Sequence, residues 1–155
     1  MKRWLTTHGL ELAVAAFCGW QAAGLLTAWQ HSPFDHLGWL SFLIWLAPLG
    51  GAWRERTPCR ETALILPMLA LGLAVAGRLL ELNALNYGAL AVALTALLPG
   101  AARRSLWLAS ALAWMPLLGW VARDFPPGAV SMLRLLVAAA GSAACFLTVP
   151  KIQTA

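Results

Sequence analysis

The run from Thr62 to Leu98 is 37 residues of nearly unbroken apolar sequence, interrupted once by a polar turn carrying Arg78, Glu81, Asn83, Asn86 and Tyr87. A membrane helix needs roughly 20 apolar residues to cross roughly 30 Å of hydrocarbon. The run is therefore too long for one crossing and about right for two, with the polar turn as the tip of a helical hairpin. Short loops between apolar runs must alternate faces, so the side taken by that tip settles the side of every other loop.

Composition points the same way. The chain is 61% hydrophobic and only 11% charged, with a mean hydropathy of +0.72, whereas a soluble domain carries roughly 25% charged residues. The expected fold class is all-α: one polytopic bundle of about six transmembrane helices and no separate soluble domain. The spans are expected near residues 9–29, 37–53, 62–77, 84–98, 105–122 and 129–149. Pro48, Gly50 and Gly51 interrupt the second span, a break tolerated where a neighbouring helix satisfies the freed carbonyls. Gly19 and Gly24 in the first span, and Gly141, Ser142 and Cys145 in the last, are small residues suited to close helix contact in lipid.

The net charge of +5 comes from 11 Lys and Arg against 6 Asp and Glu. In a soluble chain that excess would suggest nucleic acid, but here the basic residues cluster between apolar runs, where the positive-inside rule accounts for them. No nucleic-acid partner is expected. With the N-terminus in the cytoplasm, the inner segments hold Lys2, Arg3, Arg54, Arg56, Arg60, Arg103, Arg104 and Lys151, and the outer turns hold only Arg78 and Arg123. Eight against two places both termini in the cytoplasm of a bacterial inner membrane. Glu11 and an apolar stretch reaching Trp29 make the first segment an uncleaved span rather than a leader. Cys18, Cys59 and Cys145 match neither a metal knuckle nor a CxxC pair; no metal or cofactor is expected.

Most side chains able to do chemistry then fall on the outer face. They are His31, Asp35 and His36 in the first turn, Arg78 and Glu81 in the second, and Asp124 and Arg134 around the third. Asp35 beside His36 could orient an imidazole, or could build a turn and cap the next helix while both histidines stay solvated. Arg78 and Glu81, three apart, can pair on one helical face. Arg134 stands inside an apolar span, where an arginine either snorkels outward or is buried against an acid; Glu81 or Asp124 is the expected counter-ion. No phosphate-cradling loop, HExxH or GxSxG occurs, and no catalytic residue is assigned.

Phe34 to Gly38, the span ending in Trp53, Arg54, Glu55 and Arg56, the Gly77-Arg78 helix end, and Arg103-Arg104 leading into a proline-bearing span resemble the N-terminal spans of the exosortase and archaeosortase family. The resemblance covers roughly Pro33 to Val149. It implies a membrane scaffold working at the outer face in the sorting of exported proteins. The family's catalytic Cys, Arg and His lie in spans beyond the matched region, and Cys145 lacks the glycine expected soon after it. The resemblance thus implies a truncated or accessory relative, docking a membrane-protein partner or a second copy within the lipid bilayer. The alternative is a membrane enzyme or small-solute carrier using His36, Arg78, Glu81 and Arg134.

Overall fold

A computed structural model describes residues 9–52, 64–122 and 124–148. Among them the chain is all-α, without strands. Its helices are α1 (Gly9–Gln21), α2 (Gly24–His31), α3 (Gly38–Ala52), α4 (Ile65–Leu79), α5 (Asn83–Thr95), α6 (Ala101–Ser110), a 3₁₀ turn (Ala111–Ala113), α7 (Leu117–Val121) and α8 (Pro127–Leu147). Of the inner-loop basic residues, Lys2, Arg3, Arg54, Arg56, Arg60 and Lys151 lie outside the described residues, as do Cys59 and Arg123.

The prolines show how the sequence writes these boundaries. Pro126 and Pro127 start α8, where a missing N–H removes no helical bond. Pro67 likewise sits in the first turn of α4. Pro48 lies inside α3, where it cannot donate to the carbonyl of Ile44; the Ser142 hydroxyl of α8 donates to that carbonyl at 2.8 Å. The neighbour-helix compensation expected at this break is thus present.

Two halves pack side by side. In the first, α1, α4 and α5 contact one another through Cys18, Ala70, Ala74, Ala89, Ala91 and Ala93, all fully buried. In the second, α3, α6, the 3₁₀ turn and α8 pack together around Trp45, Trp107, Trp114 and Arg134, also fully buried. Side-chain contacts give the directions. Arg103 meets Cys145, and Arg134 meets Ala113, so α6 and the 3₁₀ turn run antiparallel to α8. Asp35 precedes α3 at Arg134, and Gly51 ends it near Phe146, so α3 and α8 run the same way.

The expected first span, 9–29, is two helices bent by 48° at Ala22 and Ala23. There Leu25 and Leu26 donate three residues back, to Ala22 and Ala23, and the helix axis turns. The buried stripe nevertheless continues through the bend as Glu11, Val14, Ala15, Cys18, Ala22, Leu25 and Trp29. The expected fifth span, 105–122, starts earlier, at Ala101, and breaks between Ala111 and Pro116.

The interior is mainly apolar but takes in polar side chains, while large apolar ones face outward. Ser41, Ser110, Ser131, Ser142, Thr95, Arg103 and Arg134 are buried, while Ile65, Met68, Leu69, Val75 and Leu79 along α4 are half exposed or more. Water would penalise so long an apolar face; hydrocarbon would not. By length and apolarity α8, at 21 residues, qualifies to cross a membrane, with only 33% of its most apolar stretch buried. α1 and α2 qualify together as a bent pair. α3 and α4 have 15 residues each, about 22 Å of helix, which falls short of the hydrocarbon thickness. These features support association with a membrane.

Candidate functional site

The sequence scatters its polar residues over three turns, and the fold sorts them into an enclosed ion pair and an open cavity. Asp35 sits in the α2–α3 loop, held by the Asp35 N–H donating to Ser32 at 3.0 Å and the Gly38 N–H donating to Asp35 at 2.7 Å. Those turns aim its carboxylate inward, and the residue is only 5% exposed. Arg134 lies seven residues into α8, about 10 Å from the helix start. It is wholly buried, and its Nη2 donates to Asp35 Oδ1.

Arg134 therefore does not snorkel, and its counter-ion is Asp35 rather than Glu81 or Asp124. The reason lies in the packing: α3 and α8 run side by side, which brings the residue before α3 to the first turns of α8. A buried charge is tolerated only when paired and hydrogen-bonded, and the break in the expected fifth span supplies the further acceptor. Arg134 Nη1 donates to the Ala113 carbonyl at 3.1 Å. At the next residue Trp114 accepts from Trp29 Nε1 at 3.0 Å. Trp29 is wedged in turn against Gly38, where any Cβ would run into its indole.

Below this pair the second half is cross-linked by tryptophan. Trp45 Nε1 donates to the Trp107 carbonyl at 2.9 Å and Trp107 Nε1 to the Trp45 carbonyl at 2.7 Å, with the two rings stacked at 3.8 Å and 5°. At the far end Arg103, 4% exposed, donates from Nε to the Cys145 carbonyl at 3.1 Å. Arg103 was expected in an inner loop; it belongs instead to the first turn of α6 and reaches into the bundle. Cys145 donates from Sγ to the Arg103 carbonyl at 3.6 Å and is buried. Both side chains are enclosed by the bundle.

The histidines stand apart. His31 and His36 are exposed, and their Nδ1 atoms lie 2.9 Å from the Thr27 carbonyl and 3.0 Å from the Pro33 carbonyl. Asp35 faces Arg134, so the Asp35–His36 arrangement does not form. Asp124 is exposed. Among the described residues no group of three His, Cys, Asp or Glu could hold a metal ion.

The hairpin tip makes the open feature, a cavity of about 400 Å³ lined by Gly77, Arg78, Glu81, Asn83 and Asn86. α4 ends in a turn in which the Leu82 N–H donates back to the Gly77 carbonyl at 2.9 Å. Glu81 takes the left-handed position there, with φ of 54°, which glycine usually fills and which costs other residues roughly 1–2 kcal/mol. Gly77 has no room for a side chain, since the Asn86 backbone nitrogen lies 3.1 Å from where a Cβ would be. Arg78 and Glu81 are both exposed, and among the described residues no ion pair joins them. Asn86 is 6% exposed, and its Oδ1 is buried without a hydrogen-bond partner.

Of the sequence candidates, then, the fold pairs Asp35 with Arg134 and, in a separate place, sets Arg78 and Glu81 in the lining of one cavity without pairing them. Trp45, Trp107 and Arg103 escaped sequence reasoning. Their only signal was helical spacing, with Arg103, Trp107, Ser110 and Trp114 on one face. Set against protein-family models, curated proteins and solved structures, the chain matches none of them, so its function is read from its own geometry.

Proposed function

We propose that this chain is a small multi-pass protein of the bacterial inner membrane, with about six crossings and both termini cytoplasmic. It serves as an accessory or assembly component in protein sorting or envelope biogenesis. The observation that carries the reading is the enclosure of Arg134 and Asp35. Their charges are spent on each other and on the Ala113 carbonyl, in a place no substrate reaches. Costly buried charge here holds helices together, as polar contacts do inside membrane bundles. The likeness of Phe34 to Gly38 and of the Arg103-Arg104 segment to the N-terminal spans of exosortases supports the same reading, that of a scaffold without the catalytic spans.

A second reading, a membrane enzyme or small-solute carrier, draws on the open cavity at Arg78 and Glu81. One experiment separates the two. Arg78→Gln and Glu81→Gly each remove a charge from the cavity and leave the Asp35–Arg134 pair intact; under the accessory reading each variant stays in alkali-washed membranes and supports envelope function. Loss of a measurable turnover or uptake at normal membrane level would sink that reading. Single cysteines at Glu81 and His36 should react with an impermeant thiol reagent in intact cells, and one at Arg104 should not. The opposite pattern would invert the proposed topology.

A further inference from the structure

The cavity at the α4–α5 tip combines groups that no single ion satisfies. Arg78 offers a cation, and the first turn of α5 offers backbone N–H groups, since its N-cap, Leu82, brings no side-chain acceptor. Glu81 offers an anion. Asn86 closes the wall beside Gly77. A simple anion would be repelled by Glu81, and a simple cation by Arg78. The matching occupant is a compact zwitterion, with a phosphate for the donors and an ammonium for the acceptors.

The surroundings choose among zwitterions. Leu79, Leu80 and Leu82 alternate with the polar residues along the tip and are 77%, 62% and 50% exposed. An occupant with hydrocarbon attached would cover them. The nitrogen must carry N–H, because a quaternary ammonium has nothing to donate to Glu81 and is ordinarily held by aromatic faces, of which the cavity lining has none. From these features, and resting on the membrane reading above, we infer that the tip is a binding site for a phosphoethanolamine lipid headgroup. Glu81 in a glycine position is then explained by its carboxylate, which glycine could not supply.

The test uses the full-length protein in mild detergent, given an equimolar mixture of phosphatidylethanolamine, phosphatidylcholine and phosphatidylglycerol of one acyl composition. Native mass spectrometry counts the lipid retained. Phosphatidylethanolamine should be kept about fivefold over either competitor, the yield of one ordinary net hydrogen bond. Arg78→Gln and Glu81→Gly should each bring that ratio close to one. Both positions are exposed, and glycine keeps the left-handed backbone, so neither change threatens the fold. Equal retention of all three lipids, or an unchanged preference in both variants, overturns the site. Soluble glycerophosphoethanolamine binding as well as the lipid would also overturn the lipid assignment, in favour of a free zwitterion. Should alkali strip the protein from membranes, the membrane reading itself fails. A flat lipid profile on a membrane-integral protein removes only the headgroup site.

Discussion

The two halves of the bundle are held by opposite means. Around α1, α4 and α5 small residues hold the deepest positions, Ala70, Ala74, Ala89, Ala91, Ala93 and Cys18 with Gly77 beside them, and Tyr87, Leu90 and Val92 are the larger buried side chains. Around α3, α6 and α8 the interior holds four tryptophans, Phe42, Arg134 and Asp35, linked by hydrogen bonds from side chains to carbonyls. On the membrane reading proposed above, helices in an apolar solvent gain no hydrophobic drive to associate, and close approach and polar contact are the two remaining ways to bind them. This chain uses one in each half. The small-residue half should therefore resist deletion and fail on insertion, and the aromatic half should do the reverse.

The largest break in that comparison comes from Arg134→Ala, which strands Asp35 as an unpaired buried charge. A loss of about 3–5 kcal/mol is expected, read as a drop in the denaturant midpoint of the purified protein. Asp35→Asn added to Arg134→Gln should recover most of it. A single-variant loss below about 1 kcal/mol, in the range of an exposed pair, would show that the site is wet. Next comes Trp107→Ala, expected to cost about 3–5 kcal/mol as a large-to-small change. Trp107→Phe should keep most of the ring contact but lose the bond to the Trp45 carbonyl, for about 1–3 kcal/mol.

On the other side, Ala91→Leu forces volume between α5 and its neighbours and should cost about 1–3 kcal/mol. The same measurement on Gly77→Ala should fall in that range too, since the new methyl meets Asn86. The smallest effect sharpens the contrast: Gly72 has open space around its Cα, and Gly72→Ala should stabilise α4 by about 0.5–1 kcal/mol. If Gly77→Ala and Gly72→Ala behave alike, the tight packing assigned to this half is wrong.

Much of the layout is legible in the amino-acid order, because apolar runs and their interruptions are one-dimensional. The hairpin expected at 62–77 and 84–98 is present as Ile65–Leu79 and Asn83–Thr95, shifted by a few residues since helices carry on into their polar ends. The 48° bend is not legible, for the apolar rhythm runs through Ala22 and Ala23 without a proline. Pro116 marks the break in the fifth segment, but the charges at Arg103 and Arg104 masked where that segment begins. The partner of Arg134 was beyond reach for a different reason: choosing among Asp35, Glu81 and Asp124 depends on which helices are neighbours, and local pattern does not encode that.

Asp35 and Arg134 are separated by 99 positions along the chain. During synthesis the acid emerges long before its base, and every nascent form ending ahead of α8 carries an uncompensated negative charge at the mouth of α3. The pair is thus a late closure: it forms only when the first turns of α8 have been made and laid beside α3.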